Sequence, residues 1–127
     1  MFPLLLLLFF GIIDFGQTCN SYIRLTSSAL AGAQFGSVSG QSTNYSGIKT
    51  AATNTAAGLA GFAVTASQSC SCSPGGASVN CSTTCTSYGA PAVYIVVTTS
   101  ASVPSLFHYG TLGASYSLHS VATLRVQ

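Results

Sequence analysis

Apolar positions are packed without interruption at the start of this chain: Phe2 to Ile13 form a twelve-residue run broken by no charge, and the carboxylate of Asp14 stands directly behind it. As a helix the run is about 18 Å long, short of the roughly 20 apolar residues needed to cross about 30 Å of hydrocarbon. Beyond Asp14, Tyr22, Leu25, Ala29, Gly32 and Gly36 recur at three- and four-residue intervals. That spacing predicts one long helix from the N-terminus to about Phe35. Gly32 and Gly36 form a G-x-x-x-G pair, a face that lets another backbone approach closely, either the chain's own sheet or a neighbouring subunit.

A polar, Gly-containing loop is expected from Gly36 to Gly47. A second helix follows on the stripe Ile48, Ala52, Ala56 and Leu59, ending near Gly58 and Gly61. From Phe62 the period changes to two, with Phe62, Val64 and Ala66 on one face. Pro74-Gly75-Gly76 predicts a reversal, and Ala92 to Thr99, β-branched on both faces, reads as a central strand. Ser100 to Ala114 is expected as a long connection carrying Pro104 and the aromatic group Phe107, His108 and Tyr109, either a binding loop or a flap over the sheet edge. The last strand alternates Tyr116, Leu118, Ala122, Leu124 and Val126 against Ser117, His119, Thr123 and Arg125. The fold expected is therefore α+β: a long N-terminal apolar helix and a short second helix packed on a small antiparallel β-sheet, divided into the helix, residues 1–36, and a head, residues 37–127.

Only 3% of the 127 residues are charged, namely Asp14, Arg24, Lys49 and Arg125, and the net charge is +2. With no Lys or Arg cluster for phosphates, nucleic acid is excluded as a partner. So sparse a charge favours self-association, although abundant Ser, Thr and Asn could keep a secreted domain in solution. Acid–base chemistry needs paired carboxylates, and this chain has one. His108 and His119 are remote from Asp14 in the sequence, and no phosphate-loop or nucleotide-binding pattern is present. The expectation is a protein that is not an enzyme and takes no cofactor.

Four of the five cysteines, Cys70, Cys72, Cys81 and Cys85, crowd into one Ser- and Gly-rich stretch. Such clustering reads as a disulfide framework made in an oxidising compartment. A zinc site is the competing reading; Cys81 and Cys85 would suit it, while Cys70 and Cys72, with one residue between them, fit a ligand pair less well. With Gly75 and Gly76 at the tip of a two-residue hairpin, Cys70 falls opposite Cys81 and leaves Cys72 for Cys85. Cys19 remains over, as a free thiol or a link to a neighbour. The leader has the apolar stretch of a secretory signal but neither basic residues before it nor small residues after it, so the helix is expected to stay in the mature protein.

Three stretches together resemble TadE-like proteins, minor pilin subunits of the tight-adherence (type IVc) pilus machinery. FPLLLLLFFGIIDFG, Phe2 to Gly16, is similar to the family's N-terminal helix; ALAGAQF, Ala29 to Phe35, to its small-residue stretch; and CSCSPGGASVNCSTTC, Cys70 to Cys85, to its cysteine segment. The tail Ser120 to Gln127 is similar to its final strand. The family's basic leader and the Glu-Phe pair ahead of the proline that matches Pro3 have no counterpart in these residues. The resemblance implies a pilin-like fold and a filament subunit, held in the cytoplasmic membrane and then assembled extracellularly with copies of itself or other pilin subunits. Leu4, Leu5, Leu8, Phe9, Ile12, Asp14, Gly32 and Gly36 would pack against neighbours, and Phe107, His108 and Tyr109 would serve adhesion. Asp14 would find a neighbour's N-terminal ammonium, Arg24 of another subunit, or water at the membrane surface. The alternative is a membrane-anchored binding domain that never polymerises.

Overall fold

The computed structural model describes residues 1–87, 89–106 and 115–126. Helix α1 spans Phe2–Ser37 as one 36-residue rod, about 54 Å long. Pro3 is tolerated because it lies in the first turn, where its missing N–H has no intrahelical partner. Helix α2, Tyr45–Thr55, starts three residues before Ile48 because the Asn44 side chain accepts a hydrogen bond from the Gly47 N–H at 3.0 Å and satisfies one of the first turn's free donors. The helix ends before Leu59, and Gly58 turns the chain at φ +90°. The expected loop is shorter at its far end, and the helix earlier, than the apolar stripe alone implied.

Four antiparallel strands follow: β1, Ala63–Ser71; β2, Ser78–Val79; β3, Ala92–Pro104; and β4, Ser115–Arg125, in the order β2-β1-β3-β4. β3 is central, as its branched residues imply, but runs five residues past Thr99. Ser100 to Pro104 pair with His119 to Ser115. Ala101 and Val103 keep the inward alternation, so tertiary pairing makes a strand where Ser and Ala carry little β-propensity.

One face of the sheet is covered by α1 and α2. Ala33, Ile48, Ile95 and Val97 form the buried centre, with Val64, Ala66, Ala122, Leu124 and Val126 packed around it. Burying each of the larger side chains contributes about 1.5–3 kcal/mol. The second half of α1, from Leu25 to Gly36, thus belongs to the core of the head. The buried Thr99 hydroxyl donates to the Leu25 carbonyl at 3.2 Å, tying the middle of β3 to the helix. Among the described residues no buried side-chain N or O atom lacks a partner, as a small core requires.

Helix α1 runs antiparallel to β3. Asp14 lies by Ser105, past the end of β3, Thr99 by Leu25, and Ile95 by Gly36. The apolar leader therefore leaves at one end of the head, and the cysteine-rich stretch lies at the other, beside Ala92.

Candidate functional site

Along Phe2 to Ile13 every residue is exposed; Leu4, Leu5, Leu8, Phe9 and Ile12 each keep 57% to 69% of their surface. Among the described residues α1, Phe2–Ser37, is one helix long and apolar enough to cross a membrane by length and composition. An exposed apolar patch of this extent on a soluble monomer marks an interaction surface. The same character continues alongside the head. Leu8, Ile12, Phe15, Cys19, Ile23 and Leu30 recur at intervals of three, four and seven residues and are all exposed. They form a seam on a different face from Leu25, Ala29 and Ala33. Cys19 is free and exposed on that seam.

Gly32 and Gly36 are not part of any outward seam. A Cβ on Gly32 would lie 3.2 Å from both Ala52 Cβ and the Ile48 carbonyl, and one on Gly36 would lie 2.8 Å from Ile48 Cδ1 and 3.0 Å from Ile95 Cγ2. Both are buried. The small-residue interval lets α2 and β3 approach α1 within the chain, which corrects its expected use between subunits. Tyr22, which recurs at the same spacing as the buried Leu25 and Ala29, is exposed.

Asp14 also has a partner inside the chain. Its Oδ1 accepts the backbone N–H of Leu106 at 3.3 Å and its Oδ2 accepts the Ser105 hydroxyl at 3.4 Å. The carboxylate is half-buried and anchors the exit of β3 to α1. Beside it opens a cleft of about 310 Å³ lined by Gly11, Asp14, Phe15, Thr18 and Tyr116. Arg24 is engaged elsewhere: its guanidinium donates to the Ala57 carbonyl just past α2, a position where the helix dipole favours a cation. Neither contact had a signal in the sequence, because Asp14 and Leu106 are 92 positions apart, and Arg24 and Ala57 are 33 apart.

At the far end, Cys70 is joined to Cys81 and Cys72 to Cys85, with Cα–Cα distances of 5.1 and 5.5 Å. The pairing is the one expected, but the hairpin behind it differs. Gly76 N–H donates to the Ser73 carbonyl, with Gly75 at φ +72°. The turn is therefore centred on Pro74 and Gly75, the arrangement that Pro at the second and Gly at the third position favour. Cys70 faces Val79, so Cys81, two residues past the end of β2, is not its direct cross-strand neighbour. Among the described residues no group of three or more His, Cys, Asp or Glu side chains could hold a metal ion. Phe107, His108 and Tyr109 lie outside the described residues. His119 faces outward on β4, exposed.

The family model described as TadE-like protein matches residues 1–34, the leader and the helix as far as the buried Ala33. Neither the curated proteins nor the solved structures yield a match.

Proposed function

We propose that this chain is a pilin-type structural subunit of a tight-adherence pilus system, assembled into an extracellular filament through its N-terminal helix. One observation carries the reading: a fully exposed apolar helix precedes a disulfide-stapled head, and it lies in the segment that matches the TadE-like model. The helix sits in the cytoplasmic membrane before assembly and exchanges lipid for the helices of neighbouring subunits, copies of itself or other pilins. An apolar helix suits both surroundings, since lipid tails and a helical core are equally free of water. The seam through Leu8, Ile12, Phe15 and Ile23 provides the packing surface that Gly32 and Gly36 do not. The head carries no reaction; its disulfide end points away from the leader, where surface adhesion would take place and where covalent staples resist unfolding.

Electron microscopy of sheared cell-surface material, labelled with antibody against the head, tests this. Labelled filaments are expected. Label confined to membrane-bound monomers would overturn the filament reading in favour of a non-polymerising binding domain.

A further inference from the structure

Two Asn-x-Ser sequences occur in the chain, Asn44-Tyr45-Ser46 and Asn80-Cys81-Ser82, the pattern that accepts an N-linked glycan in exported proteins. The fold puts their side chains to different uses. Both ends of the Asn44 carboxamide are spent at the start of α2: Oδ1 accepts the Gly47 N–H at 3.0 Å as the helix cap, and Nδ2 donates to Gln41 Oε1 at 2.8 Å. Asn80 stands exposed just past β2, at the disulfide end of the head. Its Oδ1 accepts both the backbone N–H of Ser82 at 3.2 Å and the Ser82 hydroxyl at 3.0 Å. The Thr83 N–H closes the same turn on the Asn80 carbonyl at 2.9 Å, and the bond between Cys81 and Cys70 fastens it to β1. The hydroxyl that the pattern requires is thus already seated on the amide oxygen in the folded chain.

We propose that Asn80 is an N-glycosylation site, its carboxamide nitrogen accepting a glycan from a lipid-linked diphosphate sugar. The inference goes beyond the filament reading and rests only on export of the head, which its two disulfides support. An ordinary carboxamide nitrogen is a poor nucleophile, because its lone pair is delocalised into the carbonyl. As a base of the transferase takes one Nδ2 proton, negative charge builds on Oδ1, where the two Ser82 donors stabilise it. Nδ2 then forms the bond to C1 of the sugar, the bond from C1 to the diphosphate oxygen breaks, and its electron pair leaves on the diphosphate. The only acidic side chain of the sequence, Asp14, lies at the opposite end of the head beside Ser105, so no side-chain carboxylate near Asn80 repels that anionic donor. The product also suits the composition: with 3% of residues charged, a hydroxyl-rich glycan adds solvation to a surface with little charge.

The test uses the full chain purified from the cells that make it. Reduction and trypsin separate the two asparagines, since cleavage after Arg24, Lys49 and Arg125 leaves Asn44 in residues 25–49 and Asn80 in residues 50–125. Mass spectrometry is expected to find one glycan increment on residues 50–125 and none on residues 25–49. Ser82→Thr keeps the hydroxyl and should keep the increment, whereas Asn80→Gln and Ser82→Ala should both lose it. A single reactive thiol in every variant reports an intact head. An unmodified peptide 50–125 from the parent chain would overturn the proposal. So would an increment that survives Asn80→Gln, which would place it on a neighbouring hydroxyl, or one found on residues 25–49 instead. Labelled filaments built from unmodified chain would overturn this site and leave the filament reading standing; modified chain confined to membrane-bound monomers would uphold the site and overturn the filament.

Discussion

The carboxylate of Asp14 accepts a hydrogen bond from the backbone N–H of Leu106 at 3.3 Å, across 92 positions of sequence. Helix and sheet are thereby joined at the level where the apolar leader ends, and the head is held in a set position relative to that leader. The Ser105 hydroxyl reaches the same carboxylate at 3.4 Å, so Asp14 ties α1 to the exit of β3 through two donors.

Removing that anchor should free the exit of β3. Asp14→Ala is expected to raise amide exchange at Leu106 about tenfold, about 1.4 kcal/mol, near the low end of the roughly 1.5–3 kcal/mol of a hydrogen bond to a charged group. Exchange at Ile95 and Val97, in the buried centre, should stay as slow as in the parent chain.

Gly32→Leu and Gly36→Leu should each destabilise the head by about 1–3 kcal/mol or more, because the added side chain meets Ile48, Ala52, Ile95 or Val97 at once. Urea unfolding of the full chain in detergent reads this directly. If the two glycines served only contacts between subunits, the midpoint would not move. Gly11→Ala is the contrasting case, since its Cβ meets nothing within 4 Å, and it should be neutral or stabilising by up to about 1 kcal/mol.

Thiol counting should find one reactive cysteine, Cys19, in the native chain and five after reduction in denaturant. The two bridges close loops with separations of 11 and 13 residues. Removal of either pair by Cys70→Ser with Cys81→Ser, or Cys72→Ser with Cys85→Ser, should cost about 3 kcal/mol. A stability unchanged by both double substitutions would contradict the role assigned to them.

Arg24→Gln should fray the end of α2. The guanidinium donates to the Ala57 carbonyl from an exposed position, so the expected loss is modest, about 0.5–1 kcal/mol. Faster exchange at the Ala56 and Leu59 amides, both bonded in that turn, would register it.

The elements themselves were legible where the chain's own periodicity sets them. Leu25, Ala29 and Ala33 repeat at helical spacing, and they lie on the buried face. The alternation of Val93, Ile95 and Val97 marked β3 for the same reason, and a reversal within Pro74-Gly75-Gly76 followed from residues whose backbone preferences are local, although its centre fell one residue earlier than expected. The continuation of β3 through Ser100 to Pro104 was not legible, because small polar residues adopt a strand there only when β4 offers its hydrogen bonds. The short leader alone likewise could not say which way the head would face it.

The sequence by itself determined an apolar N-terminal helix, an α+β head of low charge and a disulfide framework of four crowded cysteines, since periodicity, composition and short loop separations are properties of neighbouring residues. Only the tertiary structure decided that Gly32 and Gly36 serve the chain's own core, that Arg24 closes α2, and that Asp14 holds the exit of β3. Those assignments depend on contacts between residues distant in sequence. They form only when packing of α1 on the sheet brings the groups within reach, so no local pattern could specify them.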